Sequence, residues 1–229
     1  MVPVNEPDLD LLIERPSESV PQKVVRVIRE AIVDGRLSPG RRLTERELME
    51  LTGVSRTSIR EAVRHLQNLG LVESSPSRGV RVAVLSSDDV QHIYEVRDAL
   101  ESAAAELFVL RASDEEVAEL VRYVKAPGSP PESPEARRRS IYHFDELMIK
   151  GARNPLLAEI LGPLHARIHA LRRLSVTIPG RQEASDQEYA ELAAAIVARD
   201  ATRAAEASRR HIRAAAKAAL EATRRLENE

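Results

Sequence analysis

The run Leu43-Thr44-Glu45-Arg46-Glu47-Leu48-Met49-Glu50-Leu51-Thr52-Gly53-Val54-Ser55-Arg56-Thr57-Ser58-Ile59-Arg60-Glu61-Ala62-Val63 decides the fold of the N-terminal part. Thr44 followed by Glu47 has the spacing of a capping box, so a helix starts at about Glu45. Gly53 supplies the permissive backbone on which that helix ends and the chain turns. Ser55 caps the next helix, whose apolar positions Ile59, Val63 and Leu66 recur at helical spacing and face a core. Arg56, Thr57, Ser58, Arg60 and Arg64 are then left outward, with Arg56, Arg60 and Arg64 on one face. A helix–turn–helix whose second helix offers arginines and hydroxyls near its N-terminus suits entry into a major groove.

The flanks extend this into a winged helix. Val24, Val25, Val27, Ile28, Ala31 and Ile32 mark an amphipathic helix that closes at Asp34-Gly35, and Leu37-Ser38-Pro39-Gly40 is a short turn. Gly70 ends the second helix of the pair. Leu71-Val72-Glu73 is a short strand, Ser74 to Gly79 a loop, and Val80 to Val84 a second strand of period two. Arg78-Gly79 falls at the wing tip, where glycine permits close approach to a backbone and arginine suits a minor groove. Residues 18–85 hold twelve Lys/Arg against eight Asp/Glu, whereas the whole chain of 229 residues carries a formal charge of −2. A near-neutral protein thus contains a basic module, as a phosphate-binding surface requires; the competing reading of the arginines is a solvated helix face.

Ser38-Pro39-Gly40, Leu43, Glu45-Arg46-Glu47-Leu48, Gly53-Val54-Ser55-Arg56-Thr57, Arg60-Glu61-Ala62 and Gly70-Leu71-Val72 together resemble the winged-helix domain of GntR-type bacterial regulators. Ser58 departs from the pattern, since many members have proline there. The resemblance implies that Arg46, Arg56 and Arg60 contact base edges or phosphates, with Ser55, Thr57, Ser58 and Arg64 beside them.

The remainder reads as helical. Residues 1–17 hold three prolines and are expected to be a mobile tail, 18–85 the DNA-binding domain, and 86–229 a second domain. Ser87-Asp88-Asp89 caps a helix to about Arg111, and Ser113 with Glu116 opens one to about Val124. Residues 126–133 form a proline-rich loop. Ser133-Pro134 and Asn154-Pro155 place proline at first helical positions, opening helices to about Lys150 and Leu174. Ser185 with Glu188 caps a fifth helix to about Ala198, and Asp200 a sixth to about Arg225. The expected fold is mainly α: an N-terminal winged helix-turn-helix with a small β-wing, then an all-α six-helix bundle.

Val96-Arg97-Asp98-Ala99-Leu100-Glu101, Gly151 to Leu157, Ala195 to Ala201 and His211 resemble the all-helical FCD domain of the FadR group, and six helices favour its VanR-like branch. The resemblance implies a homodimer that binds an inverted-repeat operator and responds to a small molecule, and release from DNA is the commoner sense in that family. It acts as a repressor in that reading. Many such domains hold a divalent metal through one Asp and three His. Those positions fall here on Ile141, Asp145, Tyr189 and His211, and isoleucine is no ligand while neutral tyrosine is a poor one. No metal cofactor is therefore expected, although His143 would supply a ligand in a shifted register. The alternative is hydrogen bonding by Asp145, Tyr189, His211 and His143 in a pocket.

Arg97 lies close to an apolar face formed by Ile93, Val96 and Leu100, and such a charge wants an anion. Glu101, one turn on, is one partner; the carboxylate of an effector is the other, with Arg172 or Arg167 as second contacts. His165 and His169 sit one turn apart, with no third ligand near them in sequence, and read as a partly exposed face. Arg137-Arg138-Arg139 reads as a solvated helix start.

No cysteine occurs, so thiolate metal sites, disulfides and thiol nucleophiles are excluded. No apolar run approaches the roughly 20 residues of a membrane span, and the acidic start lacks a signal-peptide core; a cytoplasmic protein without membrane contact is expected. No Ser-His-Asp spacing, phosphate loop or paired catalytic carboxylates stand out, so the expectation is not an enzyme. Against the ligand-responsive regulator stand a metal-dependent sensor of the same kind and an architectural DNA-binding protein without a ligand.

Overall fold

A computed structural model describes residues 18–75, 79–124 and 133–228. The N-terminal part is built from α1 (Val20–Val33), β1 (Arg42–Leu43), α2 (Glu45–Thr52), α3 (Arg56–Asn68), β2 (Val72–Ser75) and β3 (Gly79–Val82). Ser19, followed by Pro21 and Gln22, makes a complete capping box at the start of α1. Thr44 Oγ1 accepts from the Glu47 amide at 3.1 Å, but the reciprocal half of the expected box is missing. The Glu47 carboxylate instead takes Arg41 at 2.6 Å, because a full charge pair outcompetes a neutral amide. Gly53 ends α2 in the left-handed region at φ 70°, as a glycine terminator should.

Two strand expectations need correction. A third strand, β1, pairs with β3, so the antiparallel order is β1-β3-β2. Val72 pairs with Val82 and Ser75 with Gly79, so Gly79 opens β3 instead of belonging to the loop, and the strand ends at Val82. The basis is the register: burying both Val72 and Val82 on the core side fixes the pairing. Val24, Ile28, Leu43, Leu48, Ile59, Leu66, Val72 and Val82 make this core.

The C-terminal part holds α4 (Ser87–Arg111), α5 (Asp114–Val121), α6 (Pro134–Gly151), α7 (Pro155–Ser175), α8 (Arg181–Val197) and α9 (Ala201–Glu227), making nine helices among the described residues. Helix α9 runs antiparallel along α4, and Glu227 at its end accepts the Ser87 amide at 2.8 Å, capping α4 from outside. Ser113 and Glu116 form the full reciprocal box expected of them. Ser185 does not start α8: it lies buried inside a helix that begins at Arg181, after Gly180 at φ 75°. The earlier start follows from Arg181, whose buried side chain reaches Glu188 two turns along the same face at 2.7 Å.

The run at 137–139 is also not merely solvated. Arg137 is buried against Asp186, and Arg138 bridges to Asp34 of α1 at 3.0 Å. The expected tail at 1–17, Arg78, and most of the proline-rich loop lie outside the described residues.

Candidate nucleic-acid interface and buried ligand site

Ser55 is the N-cap of α3, its side chain accepting from the Ser58 amide at 3.3 Å. Burial of Ile59, Ala62, Val63 and Leu66 fixes the rotation of α3, and Arg56, Thr57, Arg60 and Arg64 are left exposed, with Ser58 half-buried. Arg46 projects from α2 and pairs only loosely with Glu50 at 3.5 Å. Glu45, the first residue of α2, was not singled out in the sequence. It takes Arg60 at 2.7 Å and faces Arg56 at 3.6 Å. The Arg60 hydrogen bond holds its carboxyl below the usual carboxylate range. Glu45 thus gathers two arginines of α3 into one cluster. Gly79 sits exposed at the start of β3, with φ 72°.

A second group of charges is buried within the bundle. Arg97 on α4 is wholly buried, and its Nε donates to Glu101 at 2.9 Å. Its Nη1 and Nη2 have no hydrogen-bond partner, and its guanidinium lies 5.3 Å from the centre of the Tyr94 ring. Glu101 also meets His165 Nε2 of α7 at 3.0 Å. Burial alone would raise the Glu101 pKa, but Arg97 and His165 outweigh it and hold the carboxyl well below its usual value.

Two turns along α7 from His165, Arg172 grips Asp145 of α6 end-on, with Nη1–Oδ2 at 2.6 Å and Nη2–Oδ1 at 3.3 Å. The same guanidinium donates to Tyr189 Oη of α8 at 3.3 Å and to His169 Nδ1 at 3.2 Å. Burial works against the ionised form of Asp145, yet the Arg172 charge wins and lowers its pKa. Burial pushes the Tyr189 hydroxyl up to about 12 and, with Arg172 beside it, His169 down to about 3. His211 on α9 is bonded to Glu188 at 2.7 Å, and burial takes it down to about 4. Glu101, Asp145, His165, Tyr189 and His211 line one small pocket, closed by Phe144, Met148, Leu161 and Leu192.

Of the residues expected to meet an effector, Arg97, Asp145, Arg172, Tyr189 and His211 do converge. His143 does not: it is half exposed, stacks at 5.2 Å on Tyr123 and pairs with Glu146, because its position on α6 turns it away from the face bearing Asp145. Arg167 also points elsewhere, donating to the Leu69 carbonyl at 3.0 Å. His165 and His169 are not a partly exposed face; both lie in the cluster, with Asp145 as a third neighbour from another helix. Tyr94 was overlooked, and its unpartnered hydroxyl had no signal beyond its place one turn before Arg97.

The residues do not fit the four-ligand metal set that the FCD resemblance carries. Ile141 packs on the core, Asp145 is taken by Arg172, Tyr189 accepts from Arg172, and His211 is tied to Glu188. The Arg172 guanidinium occupies the polar atoms of two of the four positions, Asp145 and Tyr189.

Comparison with known proteins finds two family matches. The family described as "Bacterial regulatory proteins, gntR family" matches residues 21–82, and the FCD domain matches residues 92–214. The chain is 32% identical over 166 residues to the uncharacterised HTH-type transcriptional regulator YdhC of Bacillus subtilis, covering 71% of this chain and 74% of that one. It is 36% identical over 90 residues to the HTH-type transcriptional repressor RspR of Escherichia coli, covering 39% and 40%. The solved structure of E. coli McbR/YncC superposes with a TM-score of 0.73 at 23% identity, over 85% of this chain and 94% of that one, and so shares the fold.

Proposed function

The chain belongs to the GntR family of bacterial regulatory proteins and is a transcriptional regulator with an FCD domain, and from this we propose a homodimeric repressor that binds an inverted-repeat operator and releases it on binding a small carboxylate. In this reading Arg56 and Arg60 enter the major groove from α3, and Arg46 contacts the same DNA from α2. Ser55, Thr57 and Ser58 lie beside the phosphates at the N-terminus of α3, Arg64 lies further along, and Arg78-Gly79 of the wing reaches the minor groove.

One observation carries the ligand half: the unpartnered polar atoms around Arg97 are donors. The Arg97 Nη1 and Nη2 groups can only donate. Arg172 has only N–H to offer His169 Nδ1, so Nδ1 accepts and Nε2 carries the hydrogen. That Nε2 is unpartnered and stands 3.9 Å from Asp145, beyond hydrogen-bond range. The Tyr94 hydroxyl is free to give a further hydrogen. Buried donors left unmade cost about 1–3 kcal/mol each, and a guest with acceptors alone satisfies them together. The paired free edge of a guanidinium matches a carboxylate.

The two arginines are already balanced by Glu101 and Asp145, so the site favours one negative charge over two or three. The pocket beside Arg97 has a polar side of Glu101, Asp145, His165, Tyr189 and His211 and an apolar side of Phe144, Met148, Leu161 and Leu192, which suits a monocarboxylate with an apolar body. In this state the pocket is too small for a metabolite, so binding selects a more open arrangement of the bundle.

The test is calorimetry of the full-length protein against straight-chain, hydroxy and aromatic monocarboxylates, with the matching amides as controls. Saturable binding of an acid and not of its amide, lost in Arg97→Met, is the expected result. Equal binding of acid and amide would remove the carboxylate assignment.

A metal-dependent sensor remains the second reading, on one observation: ligand atoms of Asp145, His165 and His169 lie within 4.8 Å of one another. The Arg172 and Glu101 contacts stand against it. Elemental analysis of purified dimer decides, since one equivalent of metal lost in His169→Gln would favour the sensor.

A further inference from the structure

Helix α7 has two working faces. Its inner face carries His165, His169 and Arg172 into the buried cluster. Its outer face carries Ala166, Arg167 and Arg173 against the winged helix. Ala166 is buried as a member of the winged-helix core, not the bundle core. Arg167 Nε donates at 3.0 Å to the carbonyl of Leu69, the C-cap of α3. Its guanidinium lies over Gly70, where any Cβ would collide with it, and Arg173 lies in the same way over Gly35 at the end of α1.

These contacts have a common cause. A helix C-terminus leaves carbonyls without partners and carries partial negative charge, so a guanidinium is favoured there. Gly35 and Gly70 adopt left-handed backbone, φ 76° and 66°, and their missing side chains open the space that the two arginines fill. Arg138 of α6 adds a third cation, bridging to Asp34, the C-cap of α1. The far ends of α1 and α3 are thus each seated on the bundle.

Cluster residue and clamp residue are near neighbours in sequence on one helix: His165 with Ala166 and Arg167, Arg172 with Arg173. A rigid helix cannot move one set without the other. Pro163 lies inside α7 just before this segment, after Gly162, and removes the hydrogen bond to the Glu159 carbonyl. The segment from 164 to 175 therefore has a weak point about which to tilt.

We infer that the C-terminal half of α7 couples the buried cluster to the DNA-reading helix, with Arg167 and Arg173 as the positioning residues that transmit its tilt to the ends of α3 and α1. This rests on the reading of the cluster as the effector site. Displacing Arg172 from Asp145 shifts α7, and the shift passes from the bundle to the winged helix through Arg167 at Leu69 and Arg173 at Gly35.

The test needs no known effector, because Asp145→Asn perturbs the Arg172 grip from within the pocket. Operator affinity is measured by fluorescence anisotropy, at fixed salt, on a duplex selected from a random library. Four full-length proteins are compared: wild type, Asp145→Asn, Arg167→Met with Arg173→Met, and the triple variant. Asp145→Asn should change the dissociation constant by about fivefold or more in the native background. In the clamp-free background it should change it by less than about twofold. The same factor in both backgrounds overturns the coupling route and leaves the site intact. No change in either background removes the effector site, and the route with it. Should the paired methionine variant fail to fold, hydrogen exchange on wild type and Asp145→Asn carries the test. Faster exchange at Leu69 to Leu71, with β2–β3 amides unaltered, is expected; unaltered exchange there overturns the route.

Discussion

Arg97 concentrates the chemistry of the bundle into one side chain. Burial works against its charged form, but Glu101 beside it outweighs burial and raises its pKa. Removing that partner alone leaves a buried cation uncompensated, so Glu101→Gln should cost about 3–5 kcal/mol in urea unfolding, whereas Arg97→Met should cost less and lose ligand. Glu101 keeps His165 as a partner when Arg97 is gone, so equal costs would show that His165 does not compensate the carboxylate. The two buried histidines make a separate prediction about pH. His169 and His211 are depressed to about 3 and about 4, so between those values and the unfolded value of about 6.5 the unfolded chain binds the more protons. Their contribution is complete above that unfolded value and falls as pH drops, by about 1.4 kcal/mol per unit for each histidine. Urea midpoints at pH 7, 6 and 5 should decline, and His169→Gln should flatten the decline. A flat wild-type profile would contradict the burial of both rings. Arg97 was legible in the sequence because a cation stood at helical spacing from Ile93 and Leu100, although Val96, the third member of the expected apolar stripe, is exposed. The grip of Arg172 on Asp145 was not, since 27 residues separate them and neither shows an unusual neighbourhood.

At the scale of elements, caps and terminators carried most of the readable information. Thr44, Ser55, Ser113, Ser133, Asn154 and Asp200, read as caps, accept the N3 amide of the helix they begin; so do Ser19, which was not read as a cap, and Ser86, one residue before the expected cap at Ser87. The start of α8 escaped because Gly180 has no side chain with which to announce a cap. Ser55→Ala should cost about 1 kcal/mol, read as a lower thermal midpoint, and loosen the first turn of α3 where the proposed DNA contacts cluster. Glu45 offers a sharper test of the DNA face. Its carboxylate holds Arg60 in place but competes with phosphate for the same guanidinium. Glu45→Gln should tighten binding to duplex DNA at low salt, steepen the salt dependence by up to about one ion, and show little effect at high salt. Weaker binding at low salt would instead make Glu45 a necessary positioning group. That pairing joins residues fifteen apart across a turn, and no helical periodicity exposes it.

At the scale of the whole molecule, helix α7 joins the basic winged helix to the helical bundle. Glycines 35 and 70 were readable as helix ends, but the arginines seated on them come from α7, and nothing local to either glycine points there. Among the described residues no helix is long and apolar enough to cross a membrane. Arg56 carries the central claim, because an arginine bidentate to guanine is worth about 1–3 kcal/mol of base discrimination. The most direct measurement is selection of duplex DNA from a random library by the full-length protein, run in parallel with Arg56→Ala at matched salt. The native protein should enrich an inverted repeat with half-sites on one face of the helix, and Arg56→Ala should bind DNA without that preference. Enrichment of the same repeat by Arg56→Ala, or no enriched sequence with the native protein, would contradict that claim.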